Sequence, residues 1–251
     1  ILGAFILAAA MARTGLSTRL ALFFLSRFER SPIVLLAGVM CSCAFLSWWM
    51  PEHAVAAMMF PIVLEIAQSL KLEPLQSNYG KALFFCLAWG AVVGGVATLL
   101  GGARNPLAIG LLNTHYPTLT IGFFEWMVAV VPVSLVMLVV AFGLILLFFR
   151  PEIKDVTPAR MVLEKKIADI GKITRREKGT AVIMIVTILC WVFIGKKVGL
   201  ANIALLAAAL LFVFNIVRWQ GLEQHVNWGV IVMYGGAIAL AAAVEQTKVA
   251  D

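Results

Sequence analysis

Three short stretches place ionisable and hydrogen-bonding side chains inside otherwise apolar sequence. Residues 50–62 read MPEHAVAAMMFPI and set Pro51, Glu52 and His53 side by side, Ser47 precedes them, and residues 101–106 read GGARNP, with Arg104 and Asn105 following Gly101 and Gly102. A hydroxyl, a carboxylate, an imidazole, a guanidinium and an amide are groups that hold small ions or move protons. They do not make an enzyme's centre, because the sequence has no nucleophile–base constellation, phosphate-binding loop or metal-ligand spacing. Cys41, Cys43, Cys86 and Cys190 lie in apolar runs and read as packed free thiols.

The composition explains why such groups are conspicuous. Of 251 residues, 62% are hydrophobic and only 13% charged, and the mean hydropathy is +0.98, which excludes a soluble surface. Several apolar runs approach the roughly 20 residues that span a bilayer. The expected fold class is therefore an all-α polytopic membrane protein in one helical bundle, with the lipid bilayer as its solvent. The net charge of +7 does not point to nucleic acid. Nine of the twenty Lys and Arg fall between Arg150 and Lys178, and the positive-inside rule makes that segment, 150–179, a cytoplasmic basic linker. Leu163, Ile167, Ile170 and Ile173 recur in it at helical spacing, as in a short amphipathic helix lying on the membrane.

With that linker inside, residues 119–149 cross the membrane, 180–195 rise to Lys196 and Lys197, 200–217 return to Arg218, and the chain rises again from 228. Arg13, Arg19, Arg27 and Arg30 form a second cytoplasmic cluster. Residues 32–49 and 54–70 are both short for full spans, so 32–70 reads as a re-entrant helical hairpin with Pro51, Glu52 and His53 at its tip. Residues 81–112 read as a helix broken at Gly101, Gly102 and Pro106. A re-entrant hairpin facing a broken helix is how transporters build substrate and ion sites. His115 and His225 fall in loops, Glu125 at a membrane interface, Glu65 on the hairpin's return arm, and Trp48 and Trp49 in aromatic packing near the tip.

A shift of 233 residues aligns GAFILAAAMART (3–14) with GAIALAAAVEQT (236–247), and the topology gives the copies opposite orientations. This is the sign of an inverted repeat: 1–149 holds most of the first copy, and 180–251 the start of the second, cut off before its own hairpin. The chain opens within an apolar stretch without an initiator methionine and reads as part of a longer protein.

AFLSWWMPEHAVAAMMFPI (44–62) resembles the re-entrant hairpin of the divalent anion/sodium symporter family, usually close to AFLSxWxSNTATAAMMLPI. GGVATLLGGARNPLAIG (94–110) is similar to that family's GGIGTLIGTPPN element, and VNWGVIVMYGGAIALA (226–241) to the WGxxLLFGGGxAL start of its second half. The resemblance implies a chain of about twice this length and a multi-pass protein of the plasma membrane. It further implies a homodimer with elevator-type alternating access, and small anionic substrates such as succinate, malate, citrate or sulfate.

The departures fall at the site. The family's Ser-Asn-Thr, which helps bind sodium and contacts substrate, aligns with Pro51, Glu52 and His53, while Ser47 matches a family serine. Of the facing GTPPN, Gly101 and Asn105 persist, and Gly102, Ala103 and Arg104 differ. We expect a Glu52–Arg104 ion pair in place of the first-half sodium, because intramembrane charges find partners; direct substrate binding by Arg104 and His53 is the other reading. The candidate substrate- and ion-binding residues are thus Ser47, Pro51, Glu52, His53, Gly101, Gly102, Arg104 and Asn105, with a degenerate sodium site near Ser47, Glu52, Gly101 and Asn105. The coupling ion is Na+, or H+ carried by Glu52 or His53. The leading function is secondary transport of small anions; a proton-coupled antiporter and a transport-inactive scaffold or sensor remain alternatives.

Overall fold

The structure is a computed structural model that describes residues 2–116, 121–226 and 228–247. Residues 1, 119, 120 and 248–251, which belong to the expected segments 1–149, 119–149 and 180–251, lie outside them. Every element among the described residues is helical, in the order α1 (Leu2–Thr14), α2 (Leu16–Leu25), α3 (Pro32–Ser47), α4 (Glu52–Ser69), α5 (Asn78–Val96), α6 (Arg104–His115), α7 (Phe123–Phe148), α8 (Thr157–Ile170), α9 (Arg175–Val198), α10 (Leu200–Val213), α11 (Trp219–Leu222), a 3-10 turn (Glu223–His225) and α12 (Trp228–Thr247). The fold is all-α and polytopic: α5, α7 and α9 are each long and apolar enough to cross a membrane, and α1 with α2 counts as a fourth crossing if that bent pair is one span.

Local chemistry sets the boundaries. Ser31 accepts from Val34 N (3.4 Å) and Pro32 occupies the first turn of α3, the position where proline's missing N–H costs nothing. The chain cannot stay helical up to Pro51, so α3 ends at Ser47 and α4 starts at Glu52. Ser77 caps α5 through Gly80 N (3.0 Å), and Thr174 and Glu177 form a capping box on α9. Gly15, with φ of 85°, turns α1 into α2 through 69°.

Two packing groups result. In the first, Tyr79 at the start of α5 donates its hydroxyl to Pro32 O (2.9 Å), and Thr98 just past its end donates to Trp48 O (2.5 Å), so α3 and α5 run parallel. The chain then returns along α4: Glu52 N donates to Gly101 O (2.9 Å), the Phe60 ring lies 5.5 Å from Phe84, and Leu72 rests against Gly80. The segment 32–70 is thus a hairpin whose two ends meet beside the start of α5 and whose tip meets the break after it. Helix α7 runs back along α5 until Phe149 stacks on Phe85 at 5.1 Å and the Glu152 carboxylate accepts from Tyr79 N (3.0 Å).

The second group joins α1, α9 and α10. Gly3 abuts Ala204, and Trp191 Nε1 donates to Leu200 O (3.0 Å) across the α9–α10 turn. The groups touch through the Phe123–Trp191 stack (5.3 Å), the Glu125–Lys196 pair (2.5 Å), which places Glu125 at the start of α7, and the Phe5 and His53 rings (6.1 Å).

The linker differs from the expected surface helix. Helix α8 packs on α2 and α4 with Ala159 and Leu163 fully buried, whereas Ile167 and Ile173 are 40% and 44% exposed. Ion pairs hold it there: Lys166 to Glu65 (2.8 Å) and Arg160 to Glu29 (3.4 Å). Arg19 on α2 donates to Glu177 (2.8 Å) and to Gly171 O (2.9 Å). The apolar face that periodicity assigns to lipid is instead partly covered by protein.

Close approach of α3 and α5 depends on Gly94, where an added Cβ would stand 2.8 Å from the Ala44 carbonyl carbon, while a Cβ at Gly143 on α7 meets nothing within 4 Å. Gly94→Ala in the full-length protein should lower thermal stability by about 1–3 kcal/mol, the usual cost of overpacking. Gly143→Ala should be neutral or slightly stabilising, as expected for alanine over glycine within a helix. Thermal unfolding in detergent distinguishes the two, and equal midpoints would refute the packing account.

Candidate functional site

Breaking a helix at membrane depth strands its last carbonyls, and the end of α5 shows where they go. Val93 O accepts from Ser134 Oγ (2.9 Å), Gly94 O from Ala97 N (3.1 Å), Gly95 O from Asn105 Nδ2 (2.9 Å) and Val96 O from Trp126 Nε1 (3.1 Å). Asn105 Nδ2 also reaches Thr98 O (2.6 Å). Thr98 Oγ1, besides donating to Trp48 O, accepts from Leu100 N and Gly101 N. These contacts stitch the hairpin tip to the break, with Thr98 and Asn105 both buried.

Glu52 and Arg104 meet across this seam. Arg104 Nη1 donates to Glu52 Oε1 (2.7 Å) and Nη2 to Oε2 (2.5 Å), the two-pronged geometry that guanidinium and carboxylate favour. Nη2 also points at Val92 O (3.5 Å). The Glu52 and Arg104 side chains are 20% and 42% exposed, so the pair is partly accessible. Glu52 opens α4, where a negative charge suits the helix dipole, whereas Arg104 opens α6, where a positive charge opposes it. Arg104 therefore depends on its partner more than Glu52 does. Gly95 makes room for the pair, since a Cβ there would stand 2.6 Å from Glu52 Oε2.

The other expected residues separate into two sets. Pro51 caps α4, Gly101 accepts from Glu52 N, and Gly102 lies beside the Arg104 stem. His53 takes no part in the pair; its ring faces Phe5 of α1. Ser47 Oγ, Trp48 Nε1 and His53 Nε2 are buried without a hydrogen-bond partner among the described residues. Ser47 and Thr98 hydroxyls and the Gly101 and Thr98 carbonyls suit a hard cation, but Thr98 is already committed on every side. No group of His, Cys, Asp or Glu is arranged for a metal among the described residues.

Sequence reading missed Thr98, Gly95, Ser134 and Trp126. Gly90 and Gly94 stand four apart, the spacing that lets membrane helices approach closely, and they mark the face of α5 on which α3 lies; nothing comparable in the sequence marks Trp126 or Ser134 on α7.

The family described as the sodium:sulfate symporter transmembrane region matches residues 1–251. The chain belongs to this family. Among curated relatives, the sodium-dependent dicarboxylate transporters SdcS of Staphylococcus aureus strains bovine RF122 / ET3-1, MSSA476 and USA300 are each 28% identical over 275 residues, covering 99% of this chain and 52% of theirs. The chain thus spans about half the length of the curated relatives it matches. Membership in this family, with the apolar helices already described, makes this an integral multi-pass membrane protein.

Asn105→Ala removes the donor that serves Gly95 O and Thr98 O, and should cost about 2–6 kcal/mol at roughly 1–3 for each stranded group. Trp126→Phe should cost about 1 kcal/mol, because Asn105 Nδ2 still lies 3.4 Å from Val96 O. Thermal unfolding of the full-length variants in lipid nanodiscs ranks them, and a reversed order would contradict the capping assignment.

Proposed function

We propose that this chain supplies the first inverted repeat (1–149), a basic linker (150–179) and the start of the second repeat (180–251) of a secondary transporter of small dianions. In it the Glu52–Arg104 pair stands where relatives place a first-half sodium. The observation that carries this reading is the two-pronged pair at the meeting of hairpin tip and helix break. A guanidinium there supplies the positive charge a sodium ion would bring, and supplies it permanently. The carbonyls freed at the end of α5 already have donors, which leaves few oxygens for a cation. Sodium coupling, by analogy with the sodium-dependent relatives, then rests on the second repeat.

The preferred substrate class is the dicarboxylate, with sulfate second. Ser47 Oγ, Trp48 Nε1 and His53 Nε2 line the tip and offer hydroxyl, indole and imidazole donors to a carboxylate. The two packing groups suit elevator-type alternating access: the hairpin, α5 and α7 travel together, α1, α9 and α10 stay as scaffold, and α2 with α8 act as arms, in a homodimer of the plasma membrane.

The pair is tested by uptake of labelled succinate and sulfate into proteoliposomes carrying the full-length protein, with sodium and pH gradients imposed separately. Glu52→Gln and Arg104→Gln should each reduce uptake at least about tenfold, the equivalent of roughly 1.4 kcal/mol, with Arg104→Gln the milder in stability. The exchange Glu52→Arg with Arg104→Glu should recover part of the loss. If the double variant is no better than either single one, the pairing role is wrong. Uptake driven by a pH gradient alone would favour the proton-coupled antiporter, and no flux under any gradient the scaffold.

The elevator reading has its own check. With the native cysteines removed, Phe123→Cys and Trp191→Cys should be bridged by mercuric ion, and the bridge should abolish uptake until a thiol reverses it. Full uptake by a fully bridged protein would refute relative motion of the two groups.

A further inference from the structure

We propose that the cleft between the end of α1, the start of α9 and the segment following α10 is a binding site for a phosphate-bearing anion, apart from the hairpin site. The cleft encloses about 660 Å³ and is lined by Arg13 and Thr14, by Thr174 and Arg176, and by Arg218 and Gln220. Three guanidiniums from distant parts of the sequence converge there, and no Asp or Glu is among its lining residues. Glu177 on α9 is committed to Arg19 (2.8 Å) and to Thr174 N (2.5 Å), and Glu223, in the turn after α11, is not among the lining residues.

Convergence on one cavity is what marks the cleft. Arg19, Arg104, Arg160, Lys166 and Lys196 each hold a carboxylate, whereas Arg13, Arg176 and Arg218 form no ion pair among the described residues. Arg176 also sits in the first turn of α9, where the helix dipole adds to its charge rather than offsetting it. Three like charges gathered in this way repel one another until an anion joins them. Guanidiniums bind a tetrahedral oxyanion in two-pronged fashion, and several together select phosphate over a monovalent halide.

The phosphate has two possible sources, a dissolved phosphate or the headgroup of an anionic lipid, which basic residues at a membrane surface attract. Either would tie α1 to α9 and to the segment after α10 immediately before Gly15, where the chain bends by 69° into α2. The site would thus brace the scaffold at the point where the arm leaves it.

The test uses the full-length protein in two arms. Inorganic phosphate is titrated against protein in neutral detergent, and the thermal midpoint is compared between nanodiscs of phosphatidylcholine alone and nanodiscs containing phosphatidylglycerol. The site predicts a rise of roughly 2–6 °C in at least one arm, lost in the triple variant Arg13→Gln, Arg176→Gln, Arg218→Gln. The charge-matched control Lys154→Gln, Lys165→Gln, Lys172→Gln should keep it. A rise with phosphate assigns a dissolved anion; a rise only with phosphatidylglycerol assigns the headgroup. Should the triple variant not fold, each single Arg→Gln change should cut the rise by at least half. No rise in either arm, a rise that survives the Arg variants, or an equal loss in the Lys control would each overturn the proposal.

Discussion

A helix that stops inside a low-dielectric medium leaves carbonyls that water cannot serve, and each must find a donor from the protein. The end of α5 obeys that constraint, and much of the structure follows from how it does so. Asn105 reaches back from α6, while Trp126 and Ser134 reach across from α7. Thr98 ties the break to the end of α3. Because these donors come from separate elements, the break cannot relax without pulling on α3, α6 and α7 together. A gap in one helix thereby becomes the most cross-linked part of its packing group.

This arrangement restricts what the charged pair can do. Glu52 and Arg104 lie on the rim of a seam whose backbone is already satisfied, so their attraction is not needed to close the break. Its use is to keep two charges at membrane depth from standing alone, which is the expensive case: removing one partner of a buried pair costs roughly 3–5 kcal/mol, and less here because the Arg104 side chain is 42% exposed. A partly accessible pair is also one that a dianion can approach, with Arg104 keeping donors at angles the carboxylate does not use. Pairing and substrate contact, which the sequence sets up as rivals, are compatible in this geometry.

What was legible in the sequence follows from which forces act locally. The interruption between α3 and α4 could be read because Pro51 must interrupt a helix. The break after α5 could be read because two glycines and Pro106 remove helix propensity and a donor. Those are properties of single residues and their neighbours. The position of His53 beside Phe5 could not be read, because it depends on where α1 packs, and nothing in residues 50–62 encodes that. The linker misled for a related reason. A helical apolar face shows that something covers Leu163, but periodicity cannot distinguish lipid from α2 and α4. The tip itself lies earlier in the chain than expected: Glu52 and His53 are not in the turn but form the first turn of α4, so Glu52 gains from the helix dipole as well as from Arg104.

The same logic extends to the basic residues. Charge counting assigns 150–178 a side of the membrane but says nothing about which cations are already neutralised; in the folded chain Arg19, Arg104, Arg160, Lys166 and Lys196 are. Those on α2 and α8 that meet acids dock the arms against the hairpin and α9, as Arg19, Arg160 and Lys166 do. Those at the end of α1, the start of α9 and after α10, namely Arg13, Arg176 and Arg218, line one cleft and form no ion pair among the described residues. The proposed elevator motion would need α2 and α8 held and the α1, α9 and α10 group stiff, and in this fold internal ion pairs supply the first. The arginines that line the α1–α9 cleft cannot supply the second among themselves, because like charges gathered in one cleft repel rather than tie elements together.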